Sequence, residues 1–180
     1  NEKSGNARYR EFTQADVYII GNVSKSQADA EICNIIADTL TKCGLSDKEF
    51  KVNISNRKIV QGLINQLKIT DKKQELKVIR AIDKLDRIGL KGVEDLLKKE
   101  RVDASGAITK GANLSDVQAS EILNFLKIKN LKDLKSILKN PLSIEGIKET
   151  EDLLEIVSYG KYAKVIQPNF TIVRGLAYYD

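Results

Sequence analysis

Helical periodicity is continuous through the middle of this chain of 180 residues, and strand-like stretches lie only before residue 55 and after residue 164. Between residues 91 and 162, apolar residues recur at spacings of three and four, which place side chains on one face of a helix. Short breaks at Ser105–Asn113 and Asn140-Pro141 separate the repeats. We therefore expect a helical module inserted into a mixed α+β domain. The apolar residues that define its four helices are Val93, Leu96 and Leu97; Val117, Ile122, Leu123 and Leu126; Leu131, Leu134, Ile137 and Leu138; and Leu153, Leu154 and Val157.

Three stretches have the composition of strands. Residues 15–20 are rich in β-branched and aromatic side chains and stop at Gly21. Residues 50–54 alternate between apolar and polar side chains, which predicts a second, short strand. Residues 165–173 return to strand-like composition, with Pro168 suited to a strand start or to an edge strand.

The first 90 residues also contain three helical repeats. The first covers residues 28–42, with Gly44 placed where a helix C-terminus is commonly closed. The second covers residues 59–67, and the third covers residues 76–85 and ends near Gly89. Strands and helices in this order predict an α+β fold.

Composition removes several functional classes. Thirty basic and 25 acidic residues give a net charge of +5, and the pI is about 9.1, so a nucleic-acid partner is permitted but not required. The chain has no histidine, which excludes a histidine base, triad or metal ligand within it. Cys33 and Cys43 are too few for a disulfide framework and favour a reducing compartment. No run approaches the roughly 18 apolar residues of a membrane-spanning helix.

Two clusters of cationic, amide and aromatic side chains stand out, whereas the common glycine-rich phosphate motifs are missing. The first runs from Arg8 to Asp16 and reads RYREFTQAD, and the second runs from Val173 to Tyr179 and reads VRGLAYY. Such side chains on or beside a strand suit a small polar ligand that carries negative charge.

These clusters resemble elements of the histidyl-tRNA synthetases, which are class II aminoacyl-tRNA synthetases. Residues 1–3 are similar to the end of the F-R-x-E signature of motif 2, and the first cluster follows as its loop and R-Y-R-E-F-x-Q strand. The second cluster is similar to the histidine-specific R-G-L-x-Y-Y element. Family-like stretches also occur in order between them, at residues 29–31, 56–62 and 83–89.

The resemblance implies a histidine site. Gln14 matches the glutamine that contacts the substrate histidine, and Tyr178 and Tyr179 match tyrosines that line the amino-acid pocket. Arg174 matches the catalytic arginine beside the α-phosphate of ATP and the amino-acid carboxylate. Tyr18 stands where the family pattern has an acidic residue, on the strand face shared with Gln14.

The resemblance also implies contacts with ATP and tRNA. Glu2, Arg8 and Arg10 match the loop that meets ATP and the acceptor end of the tRNA. The substrates would be histidine, ATP with Mg²⁺ and tRNA, without a tightly bound cofactor or a metal site in the protein. The whole enzyme would be a cytoplasmic homodimer. The inserted module would touch the acceptor stem through phosphate contacts of Lys127, Lys129, Lys132 and Lys135.

We expect three parts: a partial catalytic core at residues 1–90, the inserted module at 91–162, and a return to the core at 163–180. Motifs 1 and 3 of the class II enzymes have no counterpart in the chain, so we expect a piece of a longer ligase, part of its antiparallel-sheet catalytic core, that is inactive by itself.

Two other functions remain open at this point. A synthetase-like regulatory subunit of ATP phosphoribosyltransferase shares the core but does not charge tRNA; Tyr18 favours it, whereas Arg174 and the insertion argue against it. A non-catalytic module whose basic helices bind nucleic acid is the other. The basic residues between 127 and 139 also fit an ordinary solvated helix face.

Overall fold

Seven helices and four short strands make up the part of the chain that the computed structural model describes, which is residues 11, 13–102, 106 and 108–173. The helices are α1 (Lys25–Lys42), α2 (Arg57–Gln66), α3 (Lys72–Ile82), α4 (Leu85–Lys98), α5 (Asp116–Leu126), α6 (Leu131–Ile137) and α7 (Pro141–Ser158). The strands are β1 (Val52–Ile54), β2 (Glu100–Val102), β3 (Ile108–Lys110) and β4 (Ile166–Pro168).

Polar caps explain where most of these helices begin. Asn56, Asp71, Asn130 and Asn140 each accept a backbone hydrogen bond from the first turn of α2, α3, α6 and α7, respectively. Ser115 starts α5 with a reciprocal capping box. The break predicted around Asn140 is therefore the start of α7, where proline occupies the first turn.

The strands β1 and β4 pair in parallel, with Val52 opposite Ile166 and Ile54 opposite Pro168. This pairing confirms two of the predicted strands, although each is only three residues long. Pro168 is the last residue of β4, where it has no later strand residue to disturb.

The exclusively helical interpretation of residues 91–162 is wrong in one place. The strands β2 and β3 form an antiparallel hairpin, with Glu100 opposite Lys110 and Val102 opposite Ile108. Most of the hairpin side chains are exposed, so the apolar alternation that would signal a strand is missing from the sequence.

The third predicted helix ends earlier than expected. Its repeat predicts a helix that ends near Gly89, but α3 stops at Ile82 and α4 begins at Leu85. Gly89 has a φ of 66° inside α4, so the helix is kinked there. A residue with a side chain rarely adopts this backbone conformation, whereas glycine adopts it freely.

The predicted strand at residues 15–20 is also wrong within the described part of the chain. The segment has no regular secondary structure, and Val17, Tyr18 and Ile20 are exposed. A strand exists only through hydrogen bonds to a neighbouring strand. None of the described strands lies beside this segment.

Two buried apolar clusters organise the described residues. The larger joins α2 through α6 with the start of α7 and with Phe170 and Val173. The smaller joins α1, β1, the end of α7 and β4, and it includes Cys33, as expected for a small buried side chain. The helix α7 contacts both α1 and α2. The boundary predicted at residue 91 falls within α4, and the three-part division remains a prediction.

The observed mixture of helices and small sheets has the predicted α+β character. Antiparallel pairing among the described residues is confined to the β2–β3 hairpin. No helix in the described ranges is both long enough and apolar enough to cross a membrane.

Candidate functional site

A cavity of about 210 Å³ lies where β1 and β4 end. The two strands are parallel, so their carboxyl ends meet at the same edge, where α/β proteins commonly bind ligands. Polar side chains from the start of α2 meet apolar side chains from α2, α3 and the segment after β4. The lining residues are Ser55, Arg57, Val60, Gln61, Ile79, Ile172 and Val173.

Backbone hydrogen bonds hold the segment after β4 beside this cavity. The Asn169 N–H donates to the Ile54 carbonyl at 2.8 Å, one residue beyond the paired strand. The Asn169 side chain then accepts from the backbone N–H of Thr171 at 3.1 Å and from its hydroxyl at 2.7 Å. This local turn delivers Ile172 and Val173 to the cavity wall, and Val173 is the residue before Arg174 in the sequence.

The start of α2 forms the polar side of the cavity. Asn56 caps the helix, because its side-chain oxygen accepts from the Lys58 N–H at 2.9 Å. The amide nitrogen of the same side chain donates to Glu149 on α7 at 2.8 Å. Asn56 therefore fixes both the first turn of α2 and its position relative to α7. Arg57, the first residue of α2, lies at the cavity.

The two cations in the first turn of α2 have different surroundings. The Lys58 ammonium contacts Glu145 at 2.6 Å and Glu149 at 2.5 Å, and these hydrogen bonds raise the pKa of Lys58. Arg57 makes no ion pair with any carboxylate of the described residues. A cation near a helix N-terminus is opposed by the helix dipole, so the charge of Arg57 is not compensated locally.

Two carboxyl groups near this contact have opposite pKa shifts. Burial disfavours ionisation of Glu149, but hydrogen bonds from Lys58 and Asn56 outweigh it and lower its pKa. Asp29 on α1 has a raised pKa, because of burial and then the charge of Glu149, and Lys25 only partly offsets these effects. The charge that stabilises Lys58 therefore disfavours ionisation of Asp29.

A second cavity, of about 230 Å³, lies on the other side of the segment after β4. It is lined by Ile82, Asp83, Leu85, Asp86, Thr171 and Ile172. Because Ile172 lines both cavities, the family-like stretches at residues 56–62 and 83–89 converge on the segment that leads to Arg174. Among the described residues, no three carboxylate or cysteine side chains are grouped to hold a metal ion.

A family model described as histidyl-tRNA synthetase matches residues 1–180, the whole of the chain. The chain belongs to the histidyl-tRNA synthetase family. It is 71% identical over 182 residues to a histidine–tRNA ligase of Pelagibacter ubique (strain HTCC1062), covering 100% of the chain and 39% of that relative. It is 39% identical over 189 residues to a histidine–tRNA ligase of Ruegeria pomeroyi, covering 99% of the chain and 38% of that relative.

Solved structures support the same histidyl-tRNA synthetase fold. The histidyl-tRNA synthetase of Nostoc sp. PCC 7120 is similar with a TM-score of 0.66 and 23% identity, over 87% of this chain and 35% of that one. An ATP phosphoribosyltransferase regulatory subunit/histidyl-tRNA synthetase from Bacillus halodurans is similar with a TM-score of 0.66 and 18% identity. The match covers 87% of this chain and 38% of that one. The predicted fold class is confirmed.

Two of the residues predicted to bind histidine lie in the described part of the chain, and neither is at the cavity. They are Gln14 and Tyr18, in the exposed segment before α1. The side chain of Tyr18 is 80% exposed. The other predicted substrate contacts lie outside the described residues: Glu2, Arg8, Arg10, Arg174, Tyr178 and Tyr179.

The four predicted tRNA-contacting lysines are exposed but not equivalent. Lys127 caps the end of α5, Lys129 lies between α5 and α6, and Lys132 lies on α6. Lys135, also on α6, pairs with Glu151 of α7 at 2.7 Å. The first three lysines form no ion pair within the described ranges.

The sequence pattern did not predict that Ser55 and Gln61 line a cavity, and it gave Arg57 no role of its own. A local signal was present, because the first turn of α2 carries two cations and no acidic residue, contrary to the usual preference at a helix start. The contribution of Ser55 and Gln61 depends on how β4 returns beside β1, which no local pattern encodes.

Proposed function

We propose that this chain contributes to the class II catalytic core of a ligase that charges tRNA with histidine. The family match over all 180 residues supports the reaction, although the chain spans only about two fifths of the length of its curated relatives. ATP would arrive with Mg²⁺ as part of the substrate. The whole enzyme would be a cytoplasmic homodimer, and residues 1–90 and 163–180 would belong to the core.

The reaction runs in two steps. A carboxylate oxygen of histidine attacks the α-phosphorus of ATP, pyrophosphate leaves, and histidyl-adenylate forms. A ribose hydroxyl at the end of the tRNA then attacks the activated carbonyl, loses its proton, and releases AMP. The first step brings two anions together, so cationic groups that contact both can stabilise its transition state. A permanently charged guanidinium with a planar fork suits this role, which we assign to Arg174.

The cavity beside Val173 is the observation that carries this assignment. Arg174 follows Val173 directly, and Val173 lines a cavity that also contains Arg57 and Gln61. The cavity at Val173 is concave, partly apolar and provided with polar groups, as ligand sites usually are. Gln14, Tyr18, Tyr178 and Tyr179 remain the proposed histidine contacts.

The inserted module, residues 91–162, would bind the acceptor stem of the tRNA. Lys127, Lys129 and Lys132 support this proposal, because their charges are exposed and not paired within the described residues. Each lysine that meets a phosphate would release counterions, so the affinity would fall with salt.

Replacing Arg174 with alanine in a full-length synthetase that carries this chain tests the proposed reaction. We expect adenylate formation to slow by about 100- to 1000-fold, because a preorganised positive charge is lost from the transition state. Pre-steady-state measurement isolates this step from tRNA transfer and product release. Arg174→Lys should recover only part of the rate, because an ammonium lacks the planar fork.

Arg80→Ala provides the matched control, since Arg80 is an exposed arginine near the end of α3 and lines neither cavity. It should leave adenylate formation unchanged. A rate near wild type in Arg174→Ala would contradict the assignment of Arg174.

A second function, a regulatory subunit of ATP phosphoribosyltransferase, has one specific observation in its favour. The structurally similar Bacillus halodurans protein is titled with both functions. Exchange of labelled pyrophosphate into ATP by the full-length protein decides between them. Exchange that depends on histidine supports the ligase, whereas its absence supports the regulatory role.

A further inference from the structure

We propose that Arg57 is a second substrate-contacting cation of the ligase site, which holds an anionic oxygen group of histidine or of ATP. This inference rests on the proposed function and extends it to a residue for which the family resemblance gave no role. Two features carry it, namely the position of Arg57 at the cavity and the lack of an ion-pair partner for its charge among the described residues.

The position of Arg57 is fixed by three separate parts of the fold. The Asn56 cap sets the first turn of α2, and the parallel pairing of β1 with β4 sets the point where α2 begins. The turn at Asn169 brings Val173 to the same cavity. Arg57 and Val173 therefore line the same cavity, and Arg174 is the next residue in the sequence.

The guanidinium of Arg57 is exposed and has no carboxylate partner among the described residues, so it is free to meet a ligand. Its neighbour Lys58 is paired with Glu145 and Glu149, but Arg57 pairs with none of the described carboxylates. The helix dipole opposes a cation at this position, and the first turn contains no acidic residue. Local rules are broken in this way mainly at functional sites, where a ligand supplies the missing interaction.

The size and lining of the cavity limit what it can hold. About 210 Å³ is below the roughly 300–1,000 Å³ of pockets that enclose a whole drug-sized ligand. The cavity therefore suits one end of a substrate. Ser55 and Gln61 offer further hydrogen bonds, while Val60, Ile79 and Val173 are buried and apolar.

A carboxylate and a phosphate share the chemistry that Arg57 recognises. The guanidinium can donate two parallel hydrogen bonds to either group, and lysine cannot reproduce that geometry. The two sources are the carboxylate of histidine and the phosphates of ATP. Separate measurements on the two substrates distinguish them.

The experiment compares Arg57→Ala, Arg57→Gln and Arg57→Lys with Arg80→Ala in a full-length synthetase that carries this chain. Histidine-dependent pyrophosphate exchange gives the KM for histidine and, separately, for ATP. We expect the alanine and glutamine variants to raise one of these values by about 10- to 100-fold, as for loss of a hydrogen bond to a charged group. Arg57→Lys should restore part of the loss, and Arg80→Ala should match wild type.

Histidinol, which lacks the carboxylate, identifies the group. If Arg57 holds the histidine carboxylate, Arg57→Ala weakens histidine binding but leaves inhibition by histidinol unchanged. If it holds a phosphate, the KM for ATP rises while histidine and histidinol bind normally. Either result supports the proposal.

Two outcomes would overturn it. Wild-type KM values in an active Arg57→Ala enzyme would remove Arg57 from the site. A lower unfolding temperature with unchanged KM values would show that Arg57 supports the fold and does not contact the substrate. An inactive wild-type enzyme would instead contradict the proposed ligase function, so the two failures are distinguishable.

Discussion

At the scale of single residues, two carboxyl groups on facing helices show how neighbours set ionisation. Although Glu149 on α7 is partly buried, the hydrogen bonds that it accepts from Lys58 and Asn56 lower its pKa. The pKa of Asp29 on α1 is raised, first by burial and then by the negative charge of Glu149. The helices α1 and α7 are in contact with each other. Glu149 therefore stabilises the contact of α7 with the start of α2, whereas its charge disfavours an ionised Asp29 on α1.

Asp29→Asn should therefore raise stability in a manner that depends on pH. The pKa of Asp29 is higher in the folded protein, so its stabilising contribution is complete below the unfolded pKa and is lost as pH rises through the folded pKa. The advantage of asparagine should grow as the pH rises from about 4, the unfolded pKa of an aspartate, through the raised folded pKa, and we expect less than about 1 kcal/mol because the side chain is exposed.

The midpoint of urea unfolding, measured across this pH range, tests the prediction. Glu31→Gln is the control, because Glu31 is an exposed carboxylate on the same helix without an ion pair among the described residues. A constant difference between Asp29→Asn and wild type at all pH values would contradict the expected linkage.

At the scale of elements, α2 and α7 touch through small residues. A Cβ atom built on Gly62 would lie 2.5 Å from the backbone nitrogen of Ser143, and one built on Gly146 would lie 3.0 Å from that of Ile59. Ser143 is itself fully buried. The two helices can approach this closely because each offers a position without a side chain.

Gly62→Ala should destabilise the protein by about 1–3 kcal/mol, the range for overpacking of a tight core. Alanine normally favours a helix over glycine by about 1 kcal/mol, so a loss here measures the close contact and not helix propensity. Asn65→Ala, at an exposed position of the same helix, should be neutral or slightly stabilising. The urea midpoint measures both, and an unchanged midpoint in Gly62→Ala would mean that the helices separate at little cost.

At the scale of the whole molecule, four exposed lysines lie on or near α6, and one of them forms an ion pair. Lys135 is held by Glu151, whereas Lys127, Lys129 and Lys132 have no such partner among the described residues. A phosphate must compete with Glu151 for Lys135, but it meets the other three lysines directly.

Neutralising Lys127, Lys129 and Lys132 together should weaken tRNA binding by the full-length synthetase and flatten its salt dependence. Each lost phosphate contact should lower the slope of log K against log salt by about 0.9. Lys135→Gln should have a smaller effect. Lys48→Gln with Lys164→Gln serves as the control, because both lysines are exposed and lie outside the module. Unchanged affinity and slope in the triple variant would leave these lysines as ordinary solvated side chains.

The sequence predicted the elements that carry their own packing signal. The repeats that define α1, α2, α5, α6 and α7 were visible because each helix buries one face in an apolar cluster. The end of α1 near Gly44 was also predicted. The N–H of Gly44 donates to the Thr41 carbonyl at 3.0 Å, just beyond the last residue of the helix.

Elements that depend on distant partners were not predicted correctly. The β2–β3 hairpin has exposed side chains and no alternation, so its pattern matched a loop. Residues 15–20 have strand composition, but no described strand lies beside them. Arg57 and Gln61 become part of a cavity only because β4 returns to β1, and this pairing is a property of the tertiary structure.

The parallel pairing of β1 with β4 also sets the order in which the cavity can form. Residues on the two strands are 114 positions apart, as with Asn53 and Gln167. At roughly 5–20 residues per second, a ribosome makes β4 about 6 to 23 seconds after β1. During that interval β1 lacks the one partner strand that it has among the described residues, and an unpaired strand edge is a risk for association with other chains. Its length of only three residues keeps that edge short while the remainder of the chain is synthesised.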